Sequence, residues 1–194
     1  MRTSEKQRKT LETNIKLKLN IDGTGKSNIK TGIGFLDHMI ILFSKHGLID
    51  LDLECEGDLY IDGHHTVEDI GITLGQAFKE AVGDKKGIAR YANTFTPMDE
   101  CLSLVVVDIG GRPYLSMDVE FKKEKVGDLD TELVEEFFRG FVINSGINLH
   151  IKVLDSGNTH HMIEAIFKGF GRALDVATRI DERIQGVMST KGVI

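Results

Sequence analysis

The chain has 194 residues, little more than the roughly 150 of a typical domain, so one compact domain or two fused small halves are the choices. Hydrophobic residues at 41% and charged residues at 28% are an ordinary globular composition that excludes a disordered chain, and no apolar run reaches the roughly 18 residues needed to cross a bilayer. With 24 Lys and Arg against 30 Asp and Glu, a net charge of −6, neither a nucleic-acid nor a membrane partner is expected, and any bound phosphate must meet a local basic cluster.

In chain order, the alternation Ile15, Leu17, Leu19, Ile21 predicts a half-buried strand, and Asp22-Gly23 a turn toward a second strand near Asn28–Ile33. A helix is expected over about Leu36–His46, stopped by Gly47, with an imidazolium at His46 favouring the helix dipole. Leu48–Cys55 reads as a strand. His64–Val82 reads as a helix, with Ile70, Leu74, Phe78 and Val82 on one face. The second half repeats the order: strands near Leu102–Asp108 and Tyr114–Val119, a helix over Leu133–Asn144, a strand over Asn148–Leu154, and a helix over His160–Thr178. Both halves therefore read β-β-α-β-α, an order that suggests two sheets, each covered on one face by helices whose layers meet inside. Cys55 and Cys101 are too few for a disulfide framework and read as small buried residues. With a polar, non-signal-like start at Met1–Thr10, they make a reducing cytoplasm the default location.

The duplication is also visible as a motif. His64-His65-Thr66-Val67-Glu68 and His160-His161-Met162-Ile163-Glu164 share H-H-x-x-E, and each opens the last helix of its half. The preceding helices align too, with Glu136 of the second half in the place of His38. Residues i and i+4 lie one above the other on a helix, so His64 with Glu68, and His160 with Glu164, can each grip one metal ion from the same face. His65 and His161 are rotated by about 100° and more naturally reach a second ion or a second subunit. Imidazole and carboxylate without thiolate suit Mn²⁺, Fe²⁺, Zn²⁺ or Ni²⁺. Asp62 and Asp69 are candidates to accept the second ring N–H of an imidazole, with loop and helix-surface roles as the alternative.

The runs Gly34-Phe35-Leu36-Asp37-His38-Met39, Asp62-Gly63-His64-His65-Thr66-Val67-Glu68-Asp69, Met98-Asp99-Glu100, Gly111-Arg112-Pro113-Tyr114, Asn158–Lys168 and Ser189-Thr190-Lys191-Gly192 resemble the imidazoleglycerol-phosphate dehydratase family, in order and over nearly the whole chain. The resemblance implies an α+β, ribosomal protein S5 domain 2-like fold with helices packed between two four-stranded mixed sheets. It implies a single domain of two repeats, about 1–85 and 86–180, followed by a tail, 181–194. It further implies a hydro-lyase of histidine biosynthesis with two Mn²⁺ per active site, assembled through trimers into an octahedral 24-mer.

By the same resemblance the metal positions are His38, His64, His65, Glu68, Glu136, His160, His161 and Glu164, with Glu136 standing where some relatives carry histidine. The substrate-binding positions are Glu12, Arg90, Arg112, Lys168, Ser189 and Lys191. The implied substrate, D-erythro-imidazole glycerol phosphate, loses water to give imidazole-acetol phosphate through a metal-stabilised imidazolate and a diazafulvene-like species. Glu12 is then the candidate base. A group beside the metal, among His65, Glu68 and His161, or a metal-bound water, is the candidate acid. A binuclear-metal phosphate hydrolase and a non-catalytic metal-stapled shell are the competing readings.

Overall fold

The structure, a computed structural model, describes residues 1–194. Its first sheet is formed by β1 (Thr3–Lys9), β2 (Thr13–Asn20), β4 (Asp50–Gly57) and β3 (Ser27–Lys30), in that spatial order. The second is formed by β5 (Tyr91–Met98), β6 (Cys101–Asp108), β10 (Asn148–Asp155) and β7 (Tyr114–Asp118). Pairing is antiparallel except at β3–β4 and β7–β10, which are parallel, so the two sheets share one topology. The short pair β8 (Lys125–Val126) and β9 (Leu129–Asp130) lies between β7 and the third helix. The helices are α1 (Gly34–Gly47), α2 (His64–Val82), α3 (Leu133–Ser145) and α4 (Thr159–Thr178).

Each half therefore opens with a strand that the β-β-α-β-α reading omits. The physical reason is plain in both cases. β1 reads Thr-Ser-Glu-Lys-Gln-Arg-Lys, and only Ser4 is buried. β5 buries Ala92, Thr94 and Thr96 and carries Pro97. Both are edge strands, where few apolar residues are needed and proline is tolerated.

Helix α2 packs on β1 and β2, α4 on β5 and β6, and the helix layers meet as the pairs α1·α4 and α2·α3. The core lies at that meeting. Phe170 stacks on Phe43 at 5.3 Å between ring centroids and meets Phe138 and Phe141 edge-on at 5.2 and 5.0 Å. All four rings are buried, each stabilising the fold by roughly 1.5–3 kcal/mol relative to exposure.

The outer faces of the sheets differ in kind. Thr3, Glu5, Gln7, Lys16, Lys18, Asp52 and Glu54 cover the first, with Lys16 opposite Glu54 and Lys18 opposite Asp52. The second exposes Phe95 and Tyr114 beside half-buried Leu104 and Val106.

The end of α1 departs from expectation. Gly47 is the last helical residue, and the left-handed position is taken by Leu48, φ 52°, whose N–H bonds the Ser44 carbonyl. Gly47 serves packing instead: a Cβ there would lie 2.9 Å from the Gly171 carbonyl oxygen. At His46, desolvation and the nearby charges of Lys168 and Arg172 push the imidazole pKa below its ordinary value, which works against the expected dipole-capping cation.

Candidate metal and active site

Three helix N-termini carry the histidines, and each is fixed by an oxygen acceptor. At α1, both carboxylate oxygens of Asp128 take backbone donors, Gly34 N at 2.6 Å and Phe35 N at 2.9 Å. At α2, Asp62 Oδ1 accepts from His64 N at 2.8 Å. At α4, Asn158 Oδ1 accepts from His160 N at 2.9 Å. The histidine side chains thus leave anchored first and second turns.

His38 of α1 and His160 of α4 both direct Nε2 at Glu164 Oε1, each at 3.0 Å. Ligand atoms of the three groups lie within 4.8 Å of one another. Two imidazoles and a carboxylate that is 7% exposed, converging from two helices, form a donor set that fits a first-row divalent ion. The other Glu164 oxygen accepts from Lys168 Nζ at 2.5 Å. Burial opposes ionisation of Glu164, but hydrogen bonds from Lys168, His38 and His160 outweigh it and hold the carboxyl at about 2.

The equivalent residues of the other half are not drawn together. Glu136 turns to Arg139, with Nε at 3.7 Å, and forms no cluster with His64 and Glu68. His65 and His161 stand apart from the Glu164 cluster. His65 donates Nδ1 to Asp58 Oδ2 at 2.9 Å, and its Nε2 lies 3.6 Å from Glu12 Oε1. His161 donates Nδ1 to Glu100 Oε2 at 3.0 Å, in a second group with Asp99. The hydrogen bond to Asp58 raises the His65 pKa, and that to Glu100 raises the His161 pKa. Glu100 is held at about 2 by the Asn158 backbone N–H and by His161.

Asp62 and Asp69 do not orient an imidazole. Asp62 caps α2, and Asp69 is buried in bonds from Arg8, at 3.0 and 2.7 Å, and Thr13. Asp58 and Glu100 hold the rings instead. Sequence reading missed both because their partners are reached through the tertiary fold. Met98-Asp99-Glu100 was the one local signal.

At the far end of the second half, a cavity of about 1130 Å³ is lined by Arg90, Arg112, Ser189 and Lys191, with Lys79, Lys85 and Arg183 beside them. Arg90 is oriented by Asp108, at 2.7 and 3.2 Å, and by the Met188 carbonyl at 2.5 Å, which ties the C-terminal segment to the site. Lys168 does not line this cavity, so one chain gathers four of the five basic and hydroxyl positions.

Residues 31–174 match the sequence profile of the family Imidazoleglycerol-phosphate dehydratase. The imidazoleglycerol-phosphate dehydratase of Acetivibrio thermocellus is 64% identical over 193 residues, covering 100% of this chain and 99% of that protein. That of Clostridium botulinum strain Langeland is 60% identical over 187 residues, covering 96% and 95%. The crystal structure of the Staphylococcus aureus enzyme superposes with a TM-score of 0.84 at 49% identity, covering 92% of this chain and 99% of that one. The Pyrococcus furiosus structure, in complex with (S)-C348, gives 0.84 at 40%, covering 97% and 100%.

Two mixed sheets enclosing helices, with histidine and carboxylate donors at the helix starts, define a metal-dependent lyase acting on a small molecule. The chain belongs to the imidazoleglycerol-phosphate dehydratase family, hydro-lyases of histidine biosynthesis.

Proposed function

We propose that this chain dehydrates D-erythro-imidazole glycerol phosphate to imidazole-acetol phosphate, with two Mn²⁺ per active site. The observation that carries the reading is the convergence of His38 and His160 on Glu164 in a chain of this family. His38, His160 and Glu164 would hold one ion. His64, Glu68 and Glu136, with His65 and His161 from neighbouring copies, complete the proposed ligand set. Ions held there would supply Lewis acidity that favours negative charge on an imidazole ring, the charge that departure of the hydroxyl on the adjacent carbon calls for.

The chain's own groups do the rest. Glu12, exposed and beside His65, takes the proton from the next carbon. His65, Glu68 and His161, as proposed metal-adjacent groups, or a metal-bound water, are the candidates to protonate the departing hydroxyl. The cavity with Arg90, Arg112, Ser189 and Lys191 suits a phosphate dianion through charge-assisted bonds, with Lys168 added at the same substrate from another copy. Holding the phosphate away from the reacting carbons spends binding energy on orientation of the ring.

A site divided in this way requires assembly. We read the chain as one domain of two repeats, about 1–85 and 86–180, with a C-terminal segment 181–194, forming trimers and an octahedral 24-mer. Support comes from the uncompleted His65 and His161 and from the apolar outer face of the second sheet. A cytoplasmic location accords with two free cysteines.

The test is turnover by metal-stripped protein with and without Mn²⁺, measuring ketone and free phosphate. Ketone appearing only with Mn²⁺, without phosphate, supports the dehydratase. Phosphate release instead supports the hydrolase, and metal-dependent assembly without turnover supports a structural staple.

A further inference from the structure

The two H-H-x-x-E helices each hold the second imidazole by Nδ1, yet the carboxylates that do so come from different places. In the first half the residue following β4 is Asp58, and it takes His65 Nδ1 at 2.9 Å. In the second half the residue following β10 is Ser156, which offers no carboxylate. There the residue preceding β6, Glu100, takes His161 Nδ1 at 3.0 Å. The residue preceding β2, in the matching place, is Glu12. Its nearest carboxylate oxygen lies 3.6 Å from His65 Nε2, beyond a hydrogen bond, so it does not hold the ring. Each half therefore spends one carboxylate on its imidazole, and the one left over is Glu12.

The two holders are built in. Asp58 is partly buried, its side chain 9% exposed, with His65 as the only side chain bonded to its carboxylate, and its Oδ1 has no hydrogen-bond partner. Glu100 is fixed by a 2.6 Å bond from Asn158 N, which ties it to the start of the helix that carries His161. A carboxylate on Nδ1–H leaves Nε2 as the ring's donor atom and sets the ring plane.

We propose that Asp58 and Glu100 are positioning residues that keep Nε2 of His65 and His161 as the outward metal-binding atom, and that Asp58 thereby leaves Glu12 free for the substrate. The inference rests on the reading of His65 and His161 as metal ligands given above.

The experiment is Mn²⁺ titration of the metal-stripped full-length chain, with free ion read from its electron paramagnetic resonance signal. Loss of such an orienting partner weakens metal binding by about 10- to 100-fold. That loss is expected for Asp58→Ala and, more mildly, for Asp58→Asn, which keeps an acceptor oxygen and carries the test if the Ala variant does not fold. Glu100→Gln is expected to behave alike, since Asn158 N and His161 Nδ1 are taken by different oxygens of Glu100, and an amide turns an NH2 donor toward one of them. In a His65→Ala background Asp58→Asn should add less than about twofold, because the pair is coupled only through that ring. An equal effect in both backgrounds would show a general structural role and overturn the proposal. Weak binding in His65→Ala with normal binding in Asp58→Ala and Asp58→Asn would overturn it while leaving the ligand reading intact. Normal binding in His65→Ala would remove the ligand reading, and the proposal with it.

Discussion

Gly171 of α4 lies against the carbonyl oxygen of Phe43 in α1, where a Cβ would stand 2.3 Å away. Gly75 of α2 stands in the same relation to Phe141 of α3, at 2.5 Å. The first crossing sets the distance between α1, which carries His38, and α4, which carries His160 and Glu164; the second sets that between α2 and α3. Neither carbonyl is free to move, since each belongs to a helix backbone. Gly171→Ala is expected to cost about 1–3 kcal/mol or more by overpacking and to lower Mn²⁺ affinity. Gly34→Ala, whose Cβ meets only ordinary contact at 3.4 Å, is the control. Urea midpoints compare the three proteins.

Glu12→Gln removes the proposed base while leaving its size and its neighbours. Turnover should fall by about 10²- to 10⁴-fold, with bound Mn²⁺ and particle size unchanged. Near-normal turnover in a fully loaded protein would take Glu12 out of that role.

Lys168 holds Glu164 within one chain, and in the proposed assembly it also meets the phosphate. Lys168→Ala should raise KM on the order of 10²-fold, the scale of a lost charge-assisted pair. The two duties separate by substrate. With imidazole glycerol lacking the phosphate, the variant and the native protein should be equally poor if the contact is to phosphate. A penalty of the same size on both substrates would assign Lys168 to Glu164 alone.

What could be read from the sequence follows physical range. Ile70, Leu74 and Phe78 recur at the helical spacing, and α2 begins and ends at the expected residues, His64 and Val82. The His160 and Glu164 pairing is also local, four residues on one helix, and was legible. His38 joining them depends on how α1 and α4 cross, and only repetition of the motif hinted at it. The polar β1 was invisible because an edge strand that buries Ser4 alone leaves no alternation. Asp58 and Glu100 were invisible as ring holders because a turn and a strand start must be folded against the helices first. Local spacing favoured Asp62 and Asp69, whose carboxylates the fold uses for a cap and for Arg8 and Thr13.

Asp50 secures the turn between β2 and β3, accepting from Thr24 N at 2.8 Å and Lys26 N at 3.0 Å. Those bonds, in that order, hold its carboxyl below the usual range. A depressed folded value means the stabilisation is complete above the unfolded value, near ~3.9, and is lost as pH falls through the folded one. Asp50→Ala should therefore cost roughly 1–2 kcal/mol at pH 7, a difference that shrinks steadily below about pH 4. Paired denaturation midpoints at pH 7 and pH 3 check it, and a gap independent of pH would contradict the assignment.

The outer faces of the sheets set the last expectation. Phe95 of β5 lies opposite Leu104 of β6, and Val106 of β6 opposite His150 of β10, so apolar side chains of two strands adjoin and face outward with an imidazole beside them. Water-facing apolar surface of this kind favours burial against another chain. The first sheet presents alternating charge on the same side and has no such incentive. Phe95→Asp should therefore shift sedimentation to smaller species while the circular dichroism of the fold is kept, and turnover should fall with assembly because the proposed site is shared. Gln7→Asp, exposed on the first sheet opposite Lys16, should change neither. If both variants sediment like the native protein, the second sheet is not the assembling face, and the divided active site must be completed through the helix starts and the C-terminal segment instead.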